Sequence, residues 1–247
     1  MPLSAVIIVR DAASQLPACL DSLSFADEIL IIDSGSTDGS VELAKARGAH
    51  VIEHEWLGFG KQKQFAVMQA KNDWVLCLDA DERVSDELRT SIVAELAAPH
   101  GFVYAMPRRN RFLGRWLRHG EGYPDWSTRL FHRDHARWSD DPVHENVLTT
   151  KPTVRLAGDL LHDSAETLER YLEKQNRYTS LQAELMLAAG QRAELVKLLG
   201  SPAFRFVKFY VVHLGFLDGV AGLVHIAIGC MNTFVKYAKL IALRRAR

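Results

Sequence analysis

Cysteine is scarce in this chain. Cys19, Cys77 and Cys230 are scattered through 247 residues with neither metal-site nor disulfide spacing. This excludes a disulfide-stapled fold, and the odd count fits a reducing compartment. Cys19 and Cys77 fall in apolar segments, where a thiol serves as a small hydrophobe. The N-terminus, Met1-Pro2-Leu3-Ser4, lacks the basic region that precedes the apolar core of a secretory signal, so the chain reads as cytoplasmic. Internal repeats and low-complexity tracts are missing. No nucleic-acid module or interleaved aromatic platform accompanies the basic residues, so no nucleic-acid partner is expected. Net charge is missing too, since 30 Lys and Arg balance 30 Asp and Glu. That balance hides an asymmetry. Residues 1–100 carry 8 cations against 16 acids, and residues 101–247 carry 22 against 14. An acidic front suits holding a cation and a basic back suits an anionic partner, although solvated faces of both signs would give the same count.

What is present begins with alternating strand and helix signals. Ala5-Val6-Ile7-Ile8-Val9 is a continuous run of the kind buried on both faces of a sheet. Leu16, Leu20 and Leu23 then recur at helical spacing. A second strand, Ile29-Leu30-Ile31-Ile32, ends in the turn-rich Asp33-Ser34-Gly35-Ser36-Thr37-Asp38-Gly39. The pattern continues with a helix from about Val41, a strand near His50-Val51-Ile52, a helix over about Gln62–Lys71, and the strand Trp74-Val75-Leu76-Cys77-Leu78. Ser85 reads as an N-cap for a helix that turns Leu88, Ile92 and Leu96 inward. Repeated βα units predict an α/β fold, with a mainly parallel sheet, helices on both faces, and ligands at the carboxyl ends of the strands. The middle holds strand candidates at Phe102–Met106 and Arg129–Phe131. From about Glu166 to Leu199 the pattern is helical, with Leu168, Tyr171, Leu172, Gln175, Tyr178, Leu181 and Leu185 on one face and a break expected at Ser201-Pro202.

The end of the chain differs in kind. Phe204–Leu243 is dominated by apolar residues and holds one acid, Asp218. Its longest charge-free run, Gly219–Val235, has 17 residues and is interrupted by His225 and Asn232, short of the ~20 that a bilayer span needs. Arg205, Lys208, Lys236, Lys239, Arg244, Arg245 and Arg247 flank it, the composition of an interfacial membrane helix. A packed helical hairpin is the alternative. The expected division is 1–162 as the α/β unit, 163–200 as a helical extension, and 201–247 as membrane-associating helices.

Chemistry concentrates at the strand ends. Asp79-Ala80-Asp81-Glu82 follows directly on a buried strand. Three crowded carboxylates would repel one another and raise their own pKa values unless a hard divalent ion, Mg²⁺ or Mn²⁺, sat among them and met substrate phosphates. Asp33 and the hydroxyls after it suit hydrogen bonds to a base or ribose, and a turn with a helix cap would use the same residues. Arg108, Arg109, Arg111, Arg115 and Arg118 fall within eleven residues that contain no acid. Such a stretch suits phosphate or carboxylate on an acceptor, or else a solvated cluster.

Together, Val6-Ile7-Ile8-Val9-Arg10-Asp11, Ile31-Ile32-Asp33-Ser34-Gly35-Ser36-Thr37-Asp38-Gly39 and Leu76-Cys77-Leu78-Asp79-Ala80-Asp81-Glu82 resemble family 2 glycosyltransferases of the GT-A fold, over about residues 3–150. Pro124–Phe131, Val143-His144-Glu145 and Gly215–Gly222 narrow the resemblance to bacterial lipopolysaccharide core β-glucosyltransferases. The resemblance implies a metal-dependent, inverting enzyme using a nucleotide-sugar, UDP-glucose first among them. It would act on a lipid-linked saccharide, peripherally at the cytoplasmic face of the bacterial inner membrane. It places Val9, Arg10, Asp11, Asp33 and Ser34 at the nucleoside, with Ser34 standing where the family has a second acid. Lys63 falls at the diphosphate, and the Asp79-Ala80-Asp81 segment at the donor, with Asp79, Asp81 and His162 toward the metal. It also requires a carboxylate base on the acceptor side, for which Glu145 and Asp125 compete; His144 is a further functional candidate. Two rivals stand beside this reading. A nucleotidyltransferase would carry a Gly-rich basic loop where Arg10-Asp11-Ala12-Ala13 stands. A non-catalytic membrane-bound scaffold would have lost the metal acids or the base.

Overall fold

Seven consecutive buried residues form the first strand, β1 (Leu3–Val9), because Val6, Ile7, Ile8 and Val9 find apolar cover on both faces. This is a computed structural model, describing residues 1–141, 145–164, 167–192 and 195–245. After β1 come α1 (Leu16–Asp21), β2 (Glu28–Asp33), α2 (Ser40–Ala46), β3 (His50–Glu53), α3 (Phe59–Gln69), β4 (Trp74–Asp79), β5 (Glu82–Val84) and α4 (Asp86–Ala97). The middle consists of β6 (Val103–Phe112), β7 (Arg115–Trp116), β8 (Asp125–His132), β9 (Ala136–Trp138), β10 (Val147–Thr149), β11 (Thr153–Arg155) and β12 (Leu160–His162). The helices α5 (Leu168–Ala188), α6 (Leu195–Phe206) and α7 (Gly219–Arg245) follow, with a π-helical turn (Val207–Val212) and a 3-10 turn (Gly215–Asp218) between the last two.

The chain divides into two units. The first comprises Met1–Arg108 and Asp125–Ser164. Its sheet runs in the order β3-β2-β1-β4-β8-β6-β12-β5, with β11 also pairing β6. The first four strands are parallel, as the βα alternation predicts. Beyond β4 the sheet turns antiparallel, through β8 and β6. Register then places the site: Val9 stands beside Asp33, and Ile8 beside Asp79, so β1, β2 and β4 end at one edge. Alternation divides the core between the two faces. Ile7, Leu76, Leu16, Leu88 and Ile92 pack on one; Val6, Ile8, Val75, Val67, Phe131 and Trp138 pack on the other. Ser85 caps α4 by accepting the Leu88 amide at 3.2 Å, and Leu88, Ile92 and Leu96 are buried as their spacing requires.

The second unit comprises Arg109–Pro124 and Ala165–Arg247. Two details depart from the sequence pattern. Pro202 does not end a helix: α6 continues through it to Phe206, and packing along α7 offsets the hydrogen bond that proline forfeits. The break falls earlier, after Ala188, with Gly190 at φ +69°. Nor does α5 fully bury its large side chains. Thr179 and Ala183 are its buried residues, while Tyr178 and Leu185 are exposed. Polar contacts explain the rotation, because Lys239 Nζ on α7 donates to Asn176, Thr179 and Ser180, and Asn232 donates to Gln175 at 2.9 Å.

Candidate functional site

The loops after β1 and β2 are laced together by side chains. The Asp11 amide donates to Ser36 Oγ, and the Thr37 amide donates to Asp11 Oδ1 at 2.7 Å. The Ala13 amide donates to Asp38, and the Ala12 amide to Ser40 Oγ. Asp11 adopts φ +48°, a conformation aspartate tolerates better than bulky residues. Asp33 is buried and its Oδ2 accepts the Gly35 and Ser36 amides at 2.9 and 3.0 Å, so this carboxylate shapes the turn it begins. Ser34 accepts a hydrogen bond from Gln62 Nε2 at 3.0 Å, a buried residue the sequence did not single out. Val9, Arg10, Asp11, Asp33 and Ser34 therefore share one edge of the sheet.

The acids after β4 are not crowded and unpaired, as the sequence alone suggested. Glu82 is fully buried: its Oε2 accepts the Asp79 amide at 3.0 Å, and its Oε1 accepts from Arg129 Nη2 at 2.8 Å. Its carboxylate is spent on these partners inside the protein. Asp79 meets Lys63 Nζ at 2.9 Å through Oδ1 and Arg129 Nη2 at 2.9 Å through Oδ2. Burial would raise its pKa, but Arg129 and Lys63, aided by Arg108, hold it well below the ordinary carboxylate range. Repulsion between acids is thus relieved by cations of the protein itself.

The pairing extends into a ladder of alternating charge. Lys63 Nζ also donates to Glu145 Oε1 at 3.1 Å. At the other end Arg108 lies 3.7 Å from Glu82 Oε1 and grips Asp125 Oδ2 through Nε at 2.9 Å and Nη2 at 2.7 Å. Glu145 therefore connects to Asp79 through the single cation Lys63, whereas Asp125 reaches it only by way of Arg108, Glu82 and Arg129. Asp81 stands apart from the ladder and meets His162 Nε2 at 3.2 Å. Burial opposes protonation of His162, but the hydrogen bond and charge of Asp81 raise its pKa.

Arg129 and Trp138 were not foreseen as site residues. Trp138 is buried beneath the two cations, with Lys63 Nζ 4.8 Å and Arg129 Cζ 5.6 Å from its ring centroid. Its Nε1 donates to Cys77 Sγ at 3.3 Å, and burial pushes that thiol up to about 11, so Cys77 is the small hydrophobe its segment predicts. The signal for Arg129 was available. A cation beside Leu130 and Phe131, in a strand pattern, requires a buried acid opposite it.

Of the five arginines named together, Arg108 belongs to the unit that holds this site. Arg109, Arg111, Arg115 and Arg118 belong to the second unit. His144 lies outside the described residues.

Among the described residues no group of three or more His, Cys, Asp or Glu side chains gathers as a ready-made metal cage. The charge count still favours a cation. Asp79, Glu82, Asp125 and Glu145 face Lys63, Arg108 and Arg129, and Asp81 faces His162, so negative charge is in excess by two with His162 neutral and by one with it protonated. A divalent ion that takes one or two carboxylates and completes its shell from a diphosphate fits such a donor set.

The chain is 29% identical to the lipopolysaccharide core biosynthesis glycosyltransferase LpsC of Rhizobium meliloti (strain 1021), over 97% of this chain and 92% of that protein. It is 28% identical to the glycosyltransferase RP128 of Rickettsia prowazekii (strain Madrid E), over 96% and 86%. Among solved structures, S. aureus TarS 1-349 in complex with UDP shares the fold, with a TM-score of 0.51 and 15% identity, over 100% of this chain and 92% of that one. The model of glycosyl transferase family 2 matches residues 4–155, the segment that carries the Asp33 turn, the Asp79–Asp81 strand end and the Lys63–Glu145 pairing; the chain is a glycosyltransferase and belongs to that family.

Proposed function

We propose that this enzyme moves a sugar, glucose from UDP-glucose, onto a lipid-linked saccharide of the lipopolysaccharide inner core, with inversion at the anomeric carbon. The observation that carries the reading is Lys63, buried and shared between Asp79 at the end of β4 and Glu145. One cation thereby links the acid at the donor edge to the best-placed base. The acceptor class rests on the likeness to LpsC, which extends over nearly the whole chain. Membership in a glycosyltransferase family displaces the nucleotidyltransferase and the non-catalytic scaffold.

The β1 and β2 ends hold the nucleoside: Val9, Arg10 and Asp11 on one loop, Asp33 and Ser34 on the next. Lys63 faces the diphosphate and balances charge as the sugar departs. Asp81, Asp79 and His162 would hold Mg²⁺ or Mn²⁺, which when bound neutralises the leaving diphosphate. Glu145 takes the proton of the acceptor hydroxyl, which attacks from the face opposite the diphosphate. Asp125 is the less suitable base because Arg108 already holds it through two hydrogen bonds. Arg108, which lies in the same unit as Asp79 and Glu145, serves the anionic acceptor. The enzyme works peripherally at the cytoplasmic face of the inner membrane. The stretch Gly215–Arg245 supports this placement, being long and apolar enough to cross a membrane by length and composition.

A screen of nucleotide-sugars for hydrolysis with Mn²⁺ tests the donor reading. Preferential hydrolysis of UDP-glucose is expected; hydrolysis of another nucleotide-sugar alone would overturn the donor assignment.

A further inference from the structure

The second unit displays apolar side chains that water alone does not account for. Val196, Phe204, Val212 and Val220 keep 69–78% of their surface exposed. They lie on α6, on the π-helical turn that continues it, and, past the 3-10 turn, on the first turn of α7. No residue of α6 is buried, although the helix packs along α7. Leu113 and Leu214 add a second observation. Both hold left-handed backbone, at φ +47° and +56°, where a branched side chain is strained, and both are exposed. Strain and exposure at two leucines together call for an apolar partner.

Charge identifies the partner. Between residues 195 and 245 the sequence holds one acid, Asp218. That acid is buried and consumed within the unit, where its Oδ2 accepts the Arg118 and His119 amides at 2.9 and 2.8 Å. Lys197 and Lys208 are exposed on the apolar segments. Arg115, also exposed, donates through Nη2 to the Leu217 carbonyl at 3.0 Å, which fastens the β6–β7 hairpin to the 3-10 turn. The apolar surface is therefore bordered by exposed cations with no exposed carboxylate among its described residues, which suits anionic lipid headgroups over acyl chains.

We propose that this corner, running from α6 through the 3-10 turn to the first turn of α7 and joined by the tip of the β6–β7 hairpin, seats in one leaflet of an anionic bilayer. This rests on the peripheral placement proposed above and names the surface that achieves it. The long helix α7 is the scaffold of that surface. Its Ala221, Gly222, Ile226, Gly229 and Thr233 are buried, and a Cβ built on Gly222 would come within 2.4 Å of the Gly215 carbonyl oxygen. Crossing a membrane alone would strip these contacts.

Co-sedimentation of the full chain with phosphatidylglycerol and phosphatidylcholine vesicles tests the proposal. Binding to the anionic vesicles is expected to be at least tenfold tighter and to weaken as salt rises. Replacing Val196, Val212 and Val220 together by serine should weaken it at least tenfold again. UDP binding, followed by titration calorimetry, should be unchanged, and unchanged far-UV circular dichroism is the control for folding of the helical unit. Equal vesicle binding by the serine variant would overturn the proposal, as would no binding of the unaltered chain to either vesicle. A stable dimer that the same substitutions dissociate would give the surface to a second copy instead. Vesicle binding retained without UDP-glucose hydrolysis would sink the donor reading and leave the surface standing.

Discussion

Replacing Arg129 by methionine removes the cation shared by Asp79 and Glu82. The guanidinium stands 2.9 Å from one carboxylate and 2.8 Å from the other, and Glu82 has no exposed surface. Methionine fills much of the volume but leaves Glu82 with the Asp79 amide and the more distant Arg108, at 3.7 Å. Breaking a buried pair by removing one partner costs about 3–5 kcal/mol, because the remaining charge is neither solvated nor matched. Partial compensation by Lys63 and Arg108 places the expected loss at about 3 kcal/mol. Urea unfolding at pH 7, followed by tryptophan fluorescence, should show the midpoint move to lower denaturant with an unaltered slope. Adding Glu82→Gln should recover part of the loss, giving a coupling of about 1–3 kcal/mol between the two positions. Additive costs in that double-variant cycle would refute the claim that Arg129 exists to match these acids.

Asp81→Ala should lower Mn²⁺-supported donor hydrolysis at least about a hundredfold, a loss of nearly 3 kcal/mol in transition-state stabilisation, with unchanged far-UV circular dichroism; near-normal turnover would remove the metal assignment. Glu145→Gln should reduce kcat for transfer while the KM for donor stays within about threefold, and the same behaviour in Asp125→Asn instead would move the base there. The depressed pKa of Asp79 stabilises the fold at pH values above its unfolded value of 3.8, and that contribution is lost as pH falls below it. Acid titration of the thermal midpoint should therefore show a drop below about pH 4 that Asp79→Asn reduces. Gly158→Ala should cost about 2–4 kcal/mol in urea unfolding, since its φ is +88° and the new Cβ would meet the Leu88 amide nitrogen at 2.1 Å.

Much of the first unit was legible because its signals are local. The runs Val6–Val9, Leu30–Ile32 and Val75–Leu78 sit in strands buried on both faces, and the turn after Asp33 and the cap at Ser85 lie where their residue types place them. On α5 the spacing placed the Leu and Tyr residues on one face, of which Tyr171, Leu172 and Leu181 are half-buried, while the fully buried residues are Thr179 and Ala183, whose small side chains let α7 approach. Likewise Pro202 signalled a stop that the partner helix overrode.

By itself the sequence determined which elements form and that acids stand at the end of β4, because hydrophobic period, turn chemistry and a capped helix act over a few residues. Tertiary structure alone decided what each charge meets. Arg129 is 50 residues from Asp79 and 47 from Glu82, pairs made by the order of strands in the sheet, and Lys63 on α3 is 82 from Glu145, a pair made by packing of a helix and a loop. The physical reason is that an ion pair a few ångströms long depends on three-dimensional placement, which no spacing along the chain encodes.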